Sequence, residues 1–154
     1  MNEPTFDEQT AHRHFAARCF NETWSLIDKP SRSTDDVRQM VRLMHASHWH
    51  WTQVEGVTAE NISIAYWQAA RVYALLGEAD NARRYAACCL EVSGGEDVEP
   101  FYLAYAHEAA ARAAAIAGDT EAMQTHLDEA ARIAATLEDE DSRTQLKQDL
   151  ATIG

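Results

Sequence analysis

Residues 69–92 read AARVYALLGEADNARRYAACCLEV, and the spacing of the apolar residues in this stretch decides the fold. Before the glycine, Ala69, Val72, Tyr73 and Leu76 recur at i, i+3, i+4 and i+7; after it, Ala82, Tyr85, Ala86, Cys89 and Leu90 do the same. Each half therefore carries one apolar stripe at the α-helical period. Gly77 sits where the first stripe ends and suits the left-handed residue that closes a helix. The stretch predicts two antiparallel helices joined by a tight turn, with small residues at the contact so that their axes approach closely.

Working outward, the same period recurs between every pair of turn signals. Thr5 with Glu8 forms a capping-box pattern, and Phe15, Ala16, Cys19, Phe20, Trp24 and Ile27 give a first helix over about residues 6–28, ending at Lys29 and Pro30. Ser33, Thr34, Asp35 and Asp36 suit an N-terminus, where free N–H groups and the helix dipole favour oxygen and negative charge, and a second helix follows over about 35–53. Gly56 and Thr58 precede the helix that ends at Gly77. The segment SGGEDVEP, residues 93–100, is the clearest loop and is expected to be mobile. Gly118 and Asp119 separate two further helices, about 99–117 and 120–136, and the acids from Glu138 to Asp141 open a short seventh helix in which Leu146, Leu150 and Ile153 are the large apolar residues. No segment alternates like a strand. The expectation is one all-α domain over 1–154, comprising an N-terminal hairpin at 6–53, hairpins at 59–92 and 99–136, and a helix at 138–152 that caps the end of the stack.

Composition agrees with a chain of this size burying one core, roughly 70% of its unfolded surface. Thirteen Lys and Arg stand against 25 Asp and Glu, a net charge of −12. That charge repels a nucleic-acid backbone at long range, so no nucleic acid is expected as a partner. An odd set of cysteines, Cys19, Cys88 and Cys89, points to free thiols in a reducing cytoplasm. Residues 1–7 carry acids and no apolar run, and no stretch of about eighteen apolar residues occurs, so neither a signal peptide nor a membrane partner is expected.

The 69–92 hairpin resembles a tetratricopeptide repeat, with Tyr73, Gly77, Ala82, Tyr85 and Leu90 where that motif places its aromatic, turn glycine, small residue and second-helix apolar positions. A weaker match covers residues 110–133, with Gly118, Met123, Leu127 and Ala130 at the matching spacings. Gly77 and Gly118 lie 41 residues apart, against roughly 34 in a regular array, and the excess fits an insertion at SGGEDVEP. The resemblance implies a right-handed stack of antiparallel helical hairpins and says little about activity. The segments FNETWSLIDKP, residues 20–30, and HASHWHW, residues 45–51, also resemble the FN..W.L and HAS..HW segments of small uncharacterised bacterial proteins, a likeness that implies no activity.

Two clusters bear on function. In the HASHWHW helix, Val37, Met40, Val41, Met44, His48 and Trp51 share one face with Ser47 at its edge, while His45 and Trp49 lie to one side. His45 and His50 are about 140° apart round the helix, whereas His45 and His48 have the i, i+3 separation of two metal ligands on a helix. Without an HExxH, a CxxC or a matching carboxylate, the alternative is a pair of histidines hydrogen-bonded within an aromatic core to groups on the first or third helix. His12, His14 and His126 stand isolated on their helices, and Cys88 and Cys89 read as small buried apolar residues.

The second cluster is Tyr105, Glu108 and Arg112, with Glu108 and Arg112 spaced for an ion pair that is either part of a site or merely solvated. His107 faces elsewhere. The first helices of stacked hairpins line a concave surface, which brings Trp67 and Arg71, spaced for a cation–π contact, beside Asn21 and Trp24. The expected function is a non-catalytic module holding a peptide segment or small molecule in a groove lined by Asn21, Trp24, His45, Trp49, Trp67, Arg71, Tyr105, Glu108 and Arg112, with no cofactor. The alternative is a small histidine-using enzyme, with zinc or another divalent metal at His45 and His48. A homo-oligomer covering the apolar ends of the stack is a further expectation.

Overall fold

In the computed structural model, residues 2–3 and 5–154 are described, and among them the chain forms seven helices and no strand. They are α1 (Glu8–Ile27), α2 (Thr34–Gln53), α3 (Ala59–Leu75), α4 (Ala79–Ser93), α5 (Pro100–Ile116), α6 (Thr120–Ala134) and α7 (Glu140–Leu150). No described helix is long and apolar enough to cross a membrane.

Local chemistry sets the ends. Ser33 and Asp36 form a reciprocal capping box at α2, Thr58 accepts from Asn61 N–H at α3, and Asp119 accepts from Ala122 N–H at α6. The first helix departs from expectation. Asp7, not Thr5, is its N-cap and accepts from Gln9 N–H, so α1 begins two residues later than the spacing predicts. The two turn glycines have the left-handed backbone expected at Gly77, with φ of 71° there and 75° at Gly118. Both close the same pair of bonds: Gly77 N–H to Ala74 O and Glu78 N–H to Tyr73 O, then Gly118 N–H to Ala115 O and Asp119 N–H to Ala114 O. These are the paired bonds by which a helix terminates its free carbonyls.

Contacts run most densely within α1–α2, α3–α4 and α5–α6, and α2–α3 and α4–α5 join successive pairs, as in stacked hairpins. α3 also touches α5 directly, and α7 lies against α5 and α6. Alanine makes this closeness possible. α5 buries Ala104, Ala106, Ala109, Ala110, Ala111, Ala113 and Ala114, so it is surrounded on nearly all sides. The principal core runs from Met40 and Met44 through Val72 and Tyr73 to Ala109 and Ala113, and a second cluster sits under α7 around Leu146, Ile133 and Tyr105. The connection at 94–99 is only part of the reason that the glycine spacing exceeds the regular repeat, because α4 and α5, which lie between the two glycines, are themselves 15 and 17 residues long.

Among the described residues, buried side-chain polar atoms are met, with Arg71 Nε the exception. Ser47 donates to Ala16 O at 2.8 Å, Thr23 to Cys19 O at 2.7 Å, and the Gln68 amide to Phe20 O at 3.1 Å, which ties α3 to α1. Ser47, placed at the edge of its face by the sequence, is fully buried, while His48 in the predicted centre is only half-buried.

Candidate functional site

Four odd-numbered helices converge on one pocket of about 310 Å³, at the small end of the range for ligand sites. α1 contributes Trp24, and α3 contributes Ile64, Trp67 and Arg71 at i, i+3 and i+7, one face of a helix. α5 contributes Phe101, Tyr102, Tyr105 and Glu108, and α7 adds Gln145 and Asp149. The walls are aromatic: the Trp24 and Trp67 rings lie 5.3 Å apart at 32°, Tyr105 stands edge-on to Trp67 at 5.9 Å, and Phe101 packs on Tyr105 at 5.0 Å.

Beneath these walls sits a buried carboxylate. Glu108 is 1% exposed. Its Oε2 accepts from the Trp67 indole N–H at 2.8 Å, and its Oε1 accepts from Arg112 through Nε at 3.0 Å and a terminal nitrogen at 2.7 Å. The solvated-pair reading of Glu108 and Arg112 is thereby overturned: tight packing of α3 on α5 removes the carboxylate from water. Arg112 also bonds Thr152 Oγ1 at 2.9 Å and the Asp149 carbonyl, so it fastens the end of α7 to α5. The Tyr105 hydroxyl donates to Asp149 Oδ2 at 2.6 Å. Burial first, and then that bond to a carboxylate, push the Tyr105 phenol far above its ordinary range.

Arg71 is the exception to this order. It approaches Glu108 Oε1 only to 3.9 Å, and among the described residues its buried Nε has no hydrogen-bond partner. Burial, followed by the nearby Arg112 charge, draws its guanidinium below the usual range, against the pull of Glu108, Asp149 and Asp28.

No family model, curated protein or solved structure matches this chain. What the pocket can do therefore rests on its own chemistry.

Of the residues expected at the site, Trp24, Trp67, Arg71, Tyr105 and Glu108 line the pocket, with Arg112 behind Glu108. Asn21, His45 and Trp49 are not part of that lining. Trp49 is 55% exposed and packs its ring against His12 and His50 on the outer side of α1 and α2. Trp67, expected to face Arg71, spends its indole N–H on Glu108. The α7 residues Gln145 and Asp149 went unrecognised in the sequence. Their signal is i, i+4 spacing beside the apolar pair Leu146 and Leu150, which turns them toward the same neighbour.

The histidines follow expectation in part: His45 bonds a side chain of α3, whereas among the described residues His48 has no such bond. His45 is exposed, with Nε2 2.9 Å from the Tyr73 hydroxyl, while the half-buried His48 packs edge-on against Tyr66 with ring centroids 4.5 Å apart. Loss of water around the ring lowers the pKa of both, at His45 only on the side packed against Tyr73 and Tyr85, and the proximity of His45 lowers His48 further. Among the described residues no group of three or more His, Cys, Asp and Glu side chains is placed to hold a metal ion, so this pair has no third ligand beside it. His12 and His126, isolated in the sequence, each meet a partner. The Nδ1 atoms of His12 and His50 lie 2.9 Å apart, and those of His107 and His126 3.0 Å apart. Cys89 is buried with its thiol donating to Ser63 O, and burial pushes its pKa up to about 11, far from that of an activated nucleophile.

Proposed function

We propose that this chain is a tetratricopeptide-like, right-handed stack of helical hairpins that acts as a non-catalytic binding module, holding a small molecule or a short peptide segment in the pocket of the odd-numbered helices. The observation that carries it is that pocket: an aromatic-walled cleft of about 310 Å³ built from α1, α3, α5 and α7 at once. The repeat reading is supported by spacing. Trp24 and Trp67 are 43 residues apart, Trp67 and Glu108 41, Tyr105 and Asp149 44, close to the 41 between the two left-handed glycines. Such contacts join corresponding positions of successive units, and small curvature per unit gives the odd helices one shared concave face.

Binding rather than catalysis is supported by the state of the polar groups. Both Glu108 oxygens are engaged, and the Tyr105 hydroxyl is committed to Asp149 with its pKa pushed far above its ordinary range.

The test is a fluorescence titration with N-phenylnaphthylamine, a neutral aromatic probe that brightens in apolar sites. Saturable binding at one site per chain is expected, together with its loss in Trp24→Ala, whose ring stacks on Trp67 without a hydrogen bond to break. Trp67→Ala is a poorer choice because it strips a bond from the buried Glu108. No saturable binding, or binding unchanged by Trp24→Ala, refutes the reading.

A further inference from the structure

The ligand's charge follows from Arg71, the pocket cation that among the described residues makes no hydrogen bond and meets its nearest carboxylate only at 3.9 Å. Four charged side chains meet there, and three hold hydrogen-bond partners. Glu108 takes Arg112 and Trp67, Arg112 takes Glu108, Thr152 and the Asp149 carbonyl, and Asp149 takes the Tyr105 hydroxyl. Arg71 has a buried Nε without a partner and a carboxylate no nearer than 3.9 Å. The Nε itself is closed off from the cavity, so a ligand meets the terminal N–H groups of this 26%-exposed side chain, an end-on fork that matches the two oxygens of a carboxylate. Most of the remaining lining is aromatic or apolar, with Ser63 and Gln145 as neutral polar groups. We propose that the pocket selects a monocarboxylate with an apolar or aromatic body, its two oxygens on the Arg71 fork and its body against Trp24, Trp67 and Phe101.

This rests on the binding reading above and adds the ligand class to it. Two carboxylates, Glu108 and Asp149, balance two guanidiniums, Arg112 and Arg71; what sets the sign is that Glu108 is held by Arg112 and Asp149 by the Tyr105 hydroxyl, while Arg71 has a buried Nε without a hydrogen bond. The depressed basicity of Arg71 has the same sense, since it marks a buried cation that an anionic partner would stabilise. The overall charge of −12 acts at long range, where salt screens it beyond roughly 8–10 Å. The same carboxylate chemistry could be supplied by a free acid or by the C-terminus of a peptide.

The experiment is competition against bound N-phenylnaphthylamine, with cinnamate, its neutral amide and cinnamylammonium as competitors, followed by acetyl-glycyl-phenylalanine and its C-terminal amide. Cinnamate is expected to displace the probe at about tenfold lower concentration than the amide, with the ammonium weakest. In Arg71→Gln, shown by circular dichroism to be folded, the acid-to-amide preference should collapse toward one while the amide's own affinity persists. A peptide acid that outcompetes cinnamate and is weakened by amidation assigns the carboxylate to a chain end; the reverse order assigns it to a free acid. Equal displacement by acid and amide in the unaltered protein, or tighter binding of the ammonium, overturns the carboxylate assignment while probe binding leaves the pocket reading standing. Failure of the probe to bind removes both.

Discussion

Replacing Glu108 by Gln isolates the charge of the buried carboxylate with little change of shape. The amide oxygen can still accept from the Trp67 indole N–H, whose bond is 2.8 Å in the native chain. Its NH2 group, however, faces two guanidinium donors. Both Arg112 bonds to Oε1, at 2.7 and 3.0 Å, are charge-assisted, and bonds to charged groups contribute about 1.5–3 kcal/mol each. Arg112 keeps Thr152 and the Asp149 carbonyl, and its side chain is 15% exposed and that of Arg71 26%, so water relieves part of the loss. Leaving a buried charge without its partner costs about 3–5 kcal/mol. After that relief we expect about 3 kcal/mol. Urea denaturation followed by far-UV circular dichroism measures it directly. Pairing the change with Arg112→Met removes the stranded cation, so the double variant should lose less than the sum of the singles by about 1 kcal/mol or more. A Glu108→Gln protein within about 0.5 kcal/mol of the parent, the behaviour of an exposed site, would show that the pair is solvated after all.

Gly77→Ala and Gly118→Ala should each lower stability by about 1 kcal/mol, because φ is 71° and 75° while nothing lies within 4 Å of an added Cβ. Gly95→Ala, where φ is not in that region, is the control, and a melting temperature unmoved in all three would remove the left-handed role. The histidines predict a pH dependence. Burial lowers His45, His48, His50, His107 and His126 in the folded state, so the unfolded chain binds more protons near pH 6. Stability is therefore complete above the ordinary histidine pKa of 6.5 and falls as the pH drops below it. Asp7, Asp36, Glu129 and Asp139 have lowered values and contribute their losses only below the ordinary carboxylate range. Urea midpoints should decline between pH 7.5 and pH 5 and decline less in His48→Phe; a flat profile over that interval would contradict the assignment.

What the sequence disclosed, and what it hid, follows from how far apart the determining residues lie. Helix ends were legible because caps and left-handed glycines act within six residues: Ser33 with Asp36, Tyr73 to Glu78, Ala114 to Asp119. The misses at N-termini, Thr5 for Asp7 at α1 and a start at 138 where Asp139 caps α7, are of the same kind, oxygen-bearing residues competing for one cap. Contacts inside a hairpin obey a second rule that single-residue inspection passes over. Side chains equidistant from a tight turn meet across antiparallel helices, so His12 and His50 centre on the turn between α1 and α2, His107 and His126 on Gly118, and Ser63 and Ser93 on Gly77. Read singly, His12 and His126 have no partner; reflected through the turn, each has one. The pocket obeys a third rule, translation by one repeat. From Gly77 and Gly118 alone, a period of 41 carries Trp67 to Glu108, and similar steps carry Trp24 to Trp67 and Tyr105 to Asp149. The expectation of a site on α1, α3 and α5 used the first-helix face without that translation, which is why it included Asn21 and omitted Gln145 and Asp149, while His45 and Trp49 of α2 entered it from the histidine cluster alone. Applying the period once more past α5 places α7 as a fourth wall, and its two polar residues then belong to the site for the same physical reason as Trp67 does.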